Sequence, residues 1–406
     1  MLTNFKKCVI IFKNKKEIEM QEKIKLEAST NEVIHWFQME FPELVKSMKN
    51  ADHHFDEKNL NPYHIESDVF VHTMMVCLQA QNLSPNNHHV RWAALLHDLG
   101  KPLARVVNHE KKRVAFHGHS GISTFMAVDV LNNTDLDLND QLMIVKIVAL
   151  HDSLFNFMKP DGEVKDEVKE IFKGRKTLLS NVVDHVLADS TGRFWKDDKS
   201  YANCPNDTLF QNFQTLISQL DDTIKQVRKD VPRLTLLCGP PCSGKSTYRD
   251  NYIISNPDTV VISRDDLVEA IAVKYKLKDY SDAFRFLTDN KEIEKNEVSN
   301  VIESLMKDAK DNNKSVLVDM TLMSKKSRRK WLTYFSNYSA VCVLFLKGFN
   351  KLLEHSDNRE KETGKCIPKK VMIDMMTSFT LPMHSEGFDK IMYNWFDGIT
   401  SNLFLD

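Results

Sequence analysis

No apolar run in this chain approaches the ~18 residues that a membrane-spanning helix needs, so the sequence offers no transmembrane segment. Cysteine is scarce and scattered: seven residues, at 8, 77, 204, 238, 242, 342 and 366, with no C-x-x-C pair and no even set of regular spacings. That pattern argues against a disulfide framework and for a reducing cytosol, so a cytoplasmic location is expected. Neither sign of charge is in excess. With 55 Lys+Arg against 56 Asp+Glu the formal net charge is −1, so bulk charge gives no argument for nucleic-acid binding and any basic surface has to be local. Internal repeats and low-complexity tracts are also missing, which sets repeat architectures aside.

What is there is a chain of 406 residues, 42% hydrophobic and 27% charged, the balance of a globular protein. The length exceeds one ordinary core and predicts two domains of roughly 150–200 residues. Residues 1–27 read as an appendage: Cys8-Val-Ile-Ile-Phe12 follows two lysines but is too short for a signal peptide, and Met20 is a second candidate start. Residues 28–200 read as helix after helix. Ser67-Asp68 caps a segment in which Val69, Thr73, Val76, Cys77 and Ala80 recur at helical spacing. A helix over 89–99 is expected to end on Gly100 as a left-handed cap before Pro102, and further helices are expected over 121–131, 142–153 and 177–189. A linker, 201–230, contains a predicted helix over 209–228.

From residue 231 the grammar changes. Short apolar runs at 234–238, 259–262, 315–319 and 340–346 alternate with helical patterns at 245–254, 290–310 and 324–335. Strands alternating with helices predict βαβ units and a parallel sheet. The expected fold is therefore multidomain: an all-α domain followed by an α/β domain at 231–406.

Residues 239–246 read Gly-Pro-Pro-Cys-Ser-Gly-Lys-Ser, a complete G-x-x-x-x-G-K-[ST] phosphate loop. Gly239 and Gly244 permit the tight path that turns backbone N–H groups onto phosphate oxygens. Lys245 would sit on the β- and γ-phosphates, and the Ser246 hydroxyl would face Mg²⁺. At average composition the pattern arises by chance in roughly one chain of this length in a hundred, and here it follows a predicted strand and opens a predicted helix. The next strand runs into Arg264-Asp265-Asp266, and Asp319 closes the strand after it. Carboxylates at strand ends on the phosphate-loop side are placed to take a hydroxyl proton or to act near Mg²⁺. The run Ser324-Lys-Lys-Ser-Arg-Arg-Lys330 reads as a solvated face that could also track a nucleic-acid backbone.

The helical half carries two His-Asp pairs, His97-Asp98 and His151-Asp152, where about one is expected by chance among 15 histidines. His72 shares a helix face with Val69 and Val76, His151 with Ile147 and Val148, and Asp189 ends the apolar run of Val182, Val183 and Val186. Histidines and carboxylates on the inner faces of several helices suit a buried metal cluster, and this donor set favours Mn, Fe, Co, Ni or Zn over Ca. Lys101 and Arg193 are candidate phosphate contacts.

Two resemblances follow from these strings. The run from Leu234 to about Ile391 resembles the kinase domain of phage-type polynucleotide kinases, through Leu-Leu-Cys-Gly-Pro-Pro-Cys-Ser-Gly-Lys-Ser-Thr, Ser-Arg-Asp-Asp, Val-Asp-Met-Thr-Leu at 318–322 and a basic lid, 358–365, before Ile367-Pro368. Carried over, Gly239, Ser243, Gly244, Lys245, Ser246 and Thr247 would bind ATP or another NTP with Mg²⁺. Asp265 would be the general base for a 5′-hydroxyl, and Arg359 the lid cation that neutralises the transferring phosphoryl group. Val268 stands where such kinases often carry an acceptor-holding Arg, and Thr321 where they often carry Asn.

Residues 60–195 resemble the HD-domain phosphohydrolases, through Val-His72-Thr-Met-Met, Ala-Leu-Leu-His97-Asp98-Leu-Gly-Lys, Phe-His117-Gly-His119-Ser, Ala-Leu-His151-Asp and Ala-Asp189-Ser-Thr-Gly-Arg. By that match His72, His97, Asp98 and Asp189 would ligate a first transition metal, with Asp98 at the heart of the catalytic site, and His119 and His151 a second.

Together the two resemble bifunctional end-healing enzymes of RNA repair. The implied activities are 5′-OH phosphorylation by the P-loop half and removal of a 2′,3′-cyclic, 2′- or 3′-phosphate by the HD half. The implied partners are RNA or DNA ends, RNA above all, and a separate ligase. Two other readings stay open at this point: an HD nucleotide hydrolase joined to a small-molecule kinase, and an NTP-binding sensor without turnover.

Overall fold

A computed structural model of the chain describes residues 23–154, 164–165, 167–196, 207–223, 230–363, 365, 367–398 and 401–405. The helical half runs α1 (Thr30–Glu40), α2 (Pro42–Lys49), α3 (Val69–Leu83), α4 (His88–Leu96), α5 (Lys101–Ala104), β1 (Val106–Asn108), β2 (Arg113–Ala115), α6 (His119–Leu131), α7 (Leu138–Leu150), α8 (Glu167–Ile171), α9 (Lys176–Thr191) and α10 (Asp207–Ser218). Its helix starts carry their own acceptors. Ser29 and Glu32 form a capping box, Asp68 accepts from Val71 N at 2.9 Å, and Asp137 accepts from Asn139 and Asp140. Along α6 only Ser120 and Asp129 escape full burial, so this helix runs through the interior. The antiparallel β1–β2 ribbon is a small addition to the expected all-helical reading.

Two local expectations are corrected. Helix α4 stops at Leu96 with His97 as its cap, and Gly100 has φ −80°, an ordinary helical value rather than a left-handed one. Glycine is needed there for contact: an added Cβ would lie 2.7 Å from Ser123 N and collide with His119 O. The helix predicted over 209–228 ends at Ser218, because the chain beyond it turns to serve α9. Asp222 accepts from Thr177 N at 3.1 Å and Asp221 O from Lys176 N at 3.2 Å, filling the N-terminal donors of that helix. Residues 224–228 of the predicted helix, and 1–22 of the appendage, lie outside the described residues.

The second half contains β3 (Arg233–Cys238), α11 (Lys245–Ser255), β4 (Val260–Ser263), α12 (Arg264–Lys274), α13 (Tyr280–Asp289), α14 (Lys291–Glu294), a π-turn at Lys295–Ser299, α15 (Asn300–Asp311), β5 (Val316–Asp319), α16 (Lys325–Tyr334), β6 (Ser339–Leu346), α17 (Phe349–Thr363), α18 (Lys369–Thr377), β7 (Lys390–Phe396) and β8 (Ser401–Leu405). The sheet order is β4-β5-β3-β6-β7-β8, parallel except for the last pair. All eight residues of β6 are buried, which is why it reads as a continuous apolar run. The chain leaves β3 for one side of the sheet and later returns to its other side. The crevice at the C-terminal ends beside β3 is therefore a topological switch point, where such folds bind ligands. Strands β7 and β8 escape a reading that looks for β-branched runs, since β7 carries Lys390, Met392 and Asn394 among its aromatics.

The halves share one buried apolar cluster. Phe125 of α6 stacks edge-on with Phe379 at 5.2 Å, and the Asn132 side chain both donates to Phe396 O at 3.0 Å and accepts from Trp395 Nε1 at 2.9 Å. No helix among the described residues is long and apolar enough to cross a membrane.

Candidate active sites

The sheet register builds the first site. Leu237 and Ser263 both lie opposite Asp319, so three strands end at one level. The loop leaving β3 bends with Cys242 at φ 62° and Gly244 at φ 101° and then opens α11. Gly239 N is anchored on Thr321 O at 2.9 Å, so Thr321 serves the loop through its backbone. Ser243 and Lys245 are buried. Ser246 Oγ donates to Asp319 Oδ2 at 3.0 Å, pairing a hydroxyl with a carboxylate where a divalent cation needs oxygen ligands. Lys245 Nζ bonds to Gly239 O at 2.9 Å and Pro240 O at 2.6 Å. Burial pushes this ammonium down to about 8, although Asp319 and Asp265 favour its charged form. Burial raises the Asp319 carboxyl. Arg249, unmarked by the sequence motifs, bonds to Asp266 at 3.0 Å and to Asp319 at 3.1 Å.

Asp265 stands in the first turn of α12, which Ser263 caps through Asp266 N. Its Oδ1 accepts from Tyr280 OH at 2.8 Å and its Oδ2 from Lys365 Nζ at 2.9 Å. Burial pushes the carboxyl up, but the Lys365 and Tyr280 bonds and the Arg359 charge outweigh it and hold it below the usual range. The ionised form, the one able to accept a proton, is favoured. Most of the expected lid is helical: Asn358–Thr363 completes α17, with Arg359 half-buried near its end. Lys365 is the lid cation that touches Asp265, and it also lies 3.6 Å from the Tyr280 ring centre. Val268 is fully buried in the core and offers no contact to an acceptor. The basic run at 324–330 is split, for Arg328 is fully buried on Glu386 at 2.7 and 2.8 Å while Lys325, Lys326, Arg329 and Lys330 are exposed.

The second site lies among α3, α6, α7, α9 and the turn after α4. His72 Nε2 is 3.0 Å from Asp189 Oδ1 and 3.7 Å from Asp98 Oδ2, and His97 Nε2 is 3.1 Å from the same Asp98 oxygen. Asp98 Oδ1 is 3.1 Å from His119 Nε2, which stands 3.0 Å from His151 Nε2. The six predicted donors thus converge, with Asp98 between two groups: His72, His97 and Asp189 on one side, His119 and His151 on the other. His117, two residues from His119, is exposed. The Nδ1 atoms of His97, His119 and His151 lie 2.9, 2.8 and 2.7 Å from the carbonyls of Ala94, Phe116 and Val148. That bond places the ring proton on Nδ1 and leaves each Nε2 lone pair facing inward.

This donor set fits a metal. His97 Nε2 and both Asp98 oxygens are buried without an aligned hydrogen bond, and two imidazole lone pairs face each other at His119 and His151. Buried acceptors do not converge without a cation or a proton between them. Burial pushes Asp98 and Asp189 up, yet the surrounding cations hold both far below the carboxylate range. Burial holds His151 down, against the opposing pull of Asp152. His119, although burial opposes its charge, is raised by Asp152 and Asp98.

Four residues of this site carry no signal in the sequence. Glu66 bonds to His64 Nδ1 at 2.8 Å and stands 2.9 Å from His72 Nδ1, behind the His72 ring. His53 receives Lys101 Nζ at 3.3 Å, and Lys101 reaches Asp98 at 2.8 Å. His64 receives Arg193 at 3.4 Å, and Arg193 also holds Asp189. His185 is fully buried, its ring 5.1 Å from that of His97, and neither of its nitrogens has a hydrogen-bond partner among the described residues.

Comparisons with known proteins find matches in both halves of the chain. A family model described as the HD domain matches residues 69–180, and one described as an AAA domain matches residues 234–382. The A-adding tRNA nucleotidyltransferase of Deinococcus radiodurans is 28% identical over 123 residues, 30% of this chain and 27% of that protein. The chain therefore spans about a quarter of the length of that curated relative. Among solved structures, a chain of the Pnkp1/Rnl/Hen1 RNA repair complex is similar at 23% identity and a TM-score of 0.30, over 37% of this chain and 45% of that one. A chain of the PezAT toxin–antitoxin system of Streptococcus pneumoniae is similar at 14% identity and a TM-score of 0.26, over 43% and 72%. The protein joins an HD domain, over residues 69–180, to a P-loop kinase-like domain of AAA description, over residues 234–382.

Proposed function

We propose that the chain heals nucleic-acid ends, above all those of RNA, by two reactions. The observation that supports this reading is the pairing of two sites on one core: a phosphate loop whose Lys245 feels the Asp265 carboxylate, and six converging donors with Lys101 on Asp98 and Arg193 on Asp189.

At the P-loop centre Lys245 and the loop amides hold the β- and γ-phosphates of ATP, and Ser246 and Asp319 offer oxygens to Mg²⁺. Asp265 takes the proton of a terminal 5′-hydroxyl. The hydroxyl oxygen bonds to the γ-phosphorus, the bond to the bridging oxygen breaks, and ADP departs. Lys365 and Arg359 balance the charge of the group in flight.

At the HD centre His72, His97, Asp98 and Asp189 would hold one ion, and Asp98, His119 and His151 a second. A bound Mn, Fe, Co, Ni or Zn ion supplies Lewis acidity and lowers the pKa of water. Lys101 and Arg193 bind the oxygens of a 2′,3′-cyclic, 2′- or 3′-phosphate and fix its orientation. The product ends, 5′-phosphate and 3′-hydroxyl, are those that a separate ligase joins.

The test is mass spectrometry of a short RNA with 5′-OH and 2′,3′-cyclic phosphate ends, incubated with the protein, ATP, Mg²⁺ and Mn²⁺. Gain of a 5′-phosphate with loss of the cyclic phosphate supports the reading. Unchanged ends beside consumed ATP or free nucleotides would sink it. The buried Val268 favours a second reading, in which the kinase acceptor is a small metabolite that needs no phosphate-holding arm at that position. Side-by-side turnover of mononucleotide and oligonucleotide acceptors separates the two.

A further inference from the structure

Helix α17 begins without a cap of its own. The residue before it is Gly348, which has no side chain to accept the N–H groups of the first turn, and such donors need a partner when buried. The partner comes from the other domain. Asp129 of α6 accepts from Asn350 N at 2.8 Å, and the amides of Phe349 and Lys351 also bond to its carboxyl. An added Cβ at Gly348 would stand 2.6 Å from Asp129 Cγ and collide with its oxygen. The carboxylate occupies the place that a capping side chain of α17 would fill.

The consequence reaches the lid. Helix α17 carries Arg359 near its end, and Lys365 follows it directly onto Asp265. The next helix, α18, returns to the same support: a Cβ at Gly121 would collide with Met376 O, and one at Gly118 would lie 2.7 Å from Thr377 Cβ. Both helices that flank Lys365 are therefore seated on α6.

We propose that Asp129 is a positioning residue for phosphoryl transfer: from the HD domain it caps α17 and so sets Arg359 and Lys365 beside Asp265. The inference rests on the phosphoryl-transfer reading of that site, and wild-type kinase turnover tests that reading separately.

The experiment compares full-length Asp129→Ala, Asp129→Asn and the double variant Asp129→Ala/Gly348→Ser, which places a hydroxyl cap on α17 itself in the vacated space. For Asp129→Ala the kinase kcat is expected to fall about tenfold or more, the size of a lost cap expressed as misplacement, with the KM for ATP little changed. Phosphohydrolase turnover stays at the wild-type level, and hydrogen exchange at residues 349–351 speeds up. Asp129→Asn, which keeps an acceptor oxygen, retains most of the kcat, and the double variant recovers it. Full kcat in Asp129→Ala despite lost protection at 349–351 would overturn the proposal. So would equal loss of both activities in a folded Asp129→Ala. Should Asp129→Ala fail to fold, the double variant decides: folded protein without recovered kcat would refute the positioning role.

Discussion

Lys365 and Asp265 stand a hundred residues apart in sequence and bond at 2.9 Å. The lysine is almost wholly buried, while the carboxylate side chain remains half-exposed. The lid thus delivers its cation to the proposed base rather than to solvent, and the base stays reachable from outside.

One prediction follows for the lid. Lys365→Met is expected to lower the kinase kcat about 10²-fold or more, more than Arg359→Ala does, since charge stabilisation at a developing phosphoryl transition state is worth about 10²–10³ or more. The same variant frees Asp265 from its main cationic partner, so its carboxyl rises and the acid limb of the kcat/KM profile moves to higher pH. An acid limb that stays in place in Lys365→Met would show that the bond does not tune the base.

Metal content separates the two donor groups. His119→Ala or His151→Ala is expected to lose one ion of two per chain after Mn²⁺ loading, and Asp98→Ala, which faces both groups, to lose both. Elemental analysis of the loaded protein reads this directly. Glu66→Gln leaves every ligand in place and is expected to weaken metal affinity about 10–100-fold through His72 orientation. Unchanged stoichiometry in all of these variants would refute the two-group reading, while kinase turnover should persist in each.

Lys245 sets a pH limit. Burial brings its folded value down to about 8, so the free enzyme loses this charge as pH rises through that value. The kcat/KM for ATP, which reports the free enzyme, is expected to fall there. The sign for stability is opposite: the ammonium is harder to hold in the folded than in the unfolded state, so this group opposes folding below about 8. The penalty fades as pH rises from there toward its unfolded value. A kcat/KM for ATP that stays flat from pH 7 to 9.5 would contradict the assignment.

Arg328 is expected to matter to stability rather than to strand binding. It is fully buried, bidentate to Glu386, and bonded to Leu322 O and Met323 O at 3.1 Å and to Thr380. Arg328→Met leaves Glu386 as a buried unpaired charge, at a cost of about 3–5 kcal/mol. Denaturant unfolding measures it. Reversal of an exposed neighbour, Lys326→Glu, should be nearly silent on stability and serves as the control.

The phosphate loop, the strand-end carboxylates and the six donors were legible because each is a local string or a spacing on one element. Local rules could not reach partners brought together by packing. Asp129 and Asn350 are 221 positions apart, and nothing in Gly348 announces that its cap lies in another domain. His53, His64, Glu66 and His185 sit outside the short motifs, and only the fold aims them at the centre. Lys365 was visible as one charge in a basic lid, but its choice over Arg359 depends on where α17 ends. Val268 is the reverse case, a departure visible in the sequence whose burial only the packing reveals.

The Asn132 side chain, closed in both directions onto β7, has a consequence for inheritance. A gene cut between the domains would release two products, one with the buried face of α6 uncovered and one with Trp395 stripped of its acceptor. Each fragment is therefore expected to be less stable than the whole chain. Selection is therefore expected to keep the two halves on one chain.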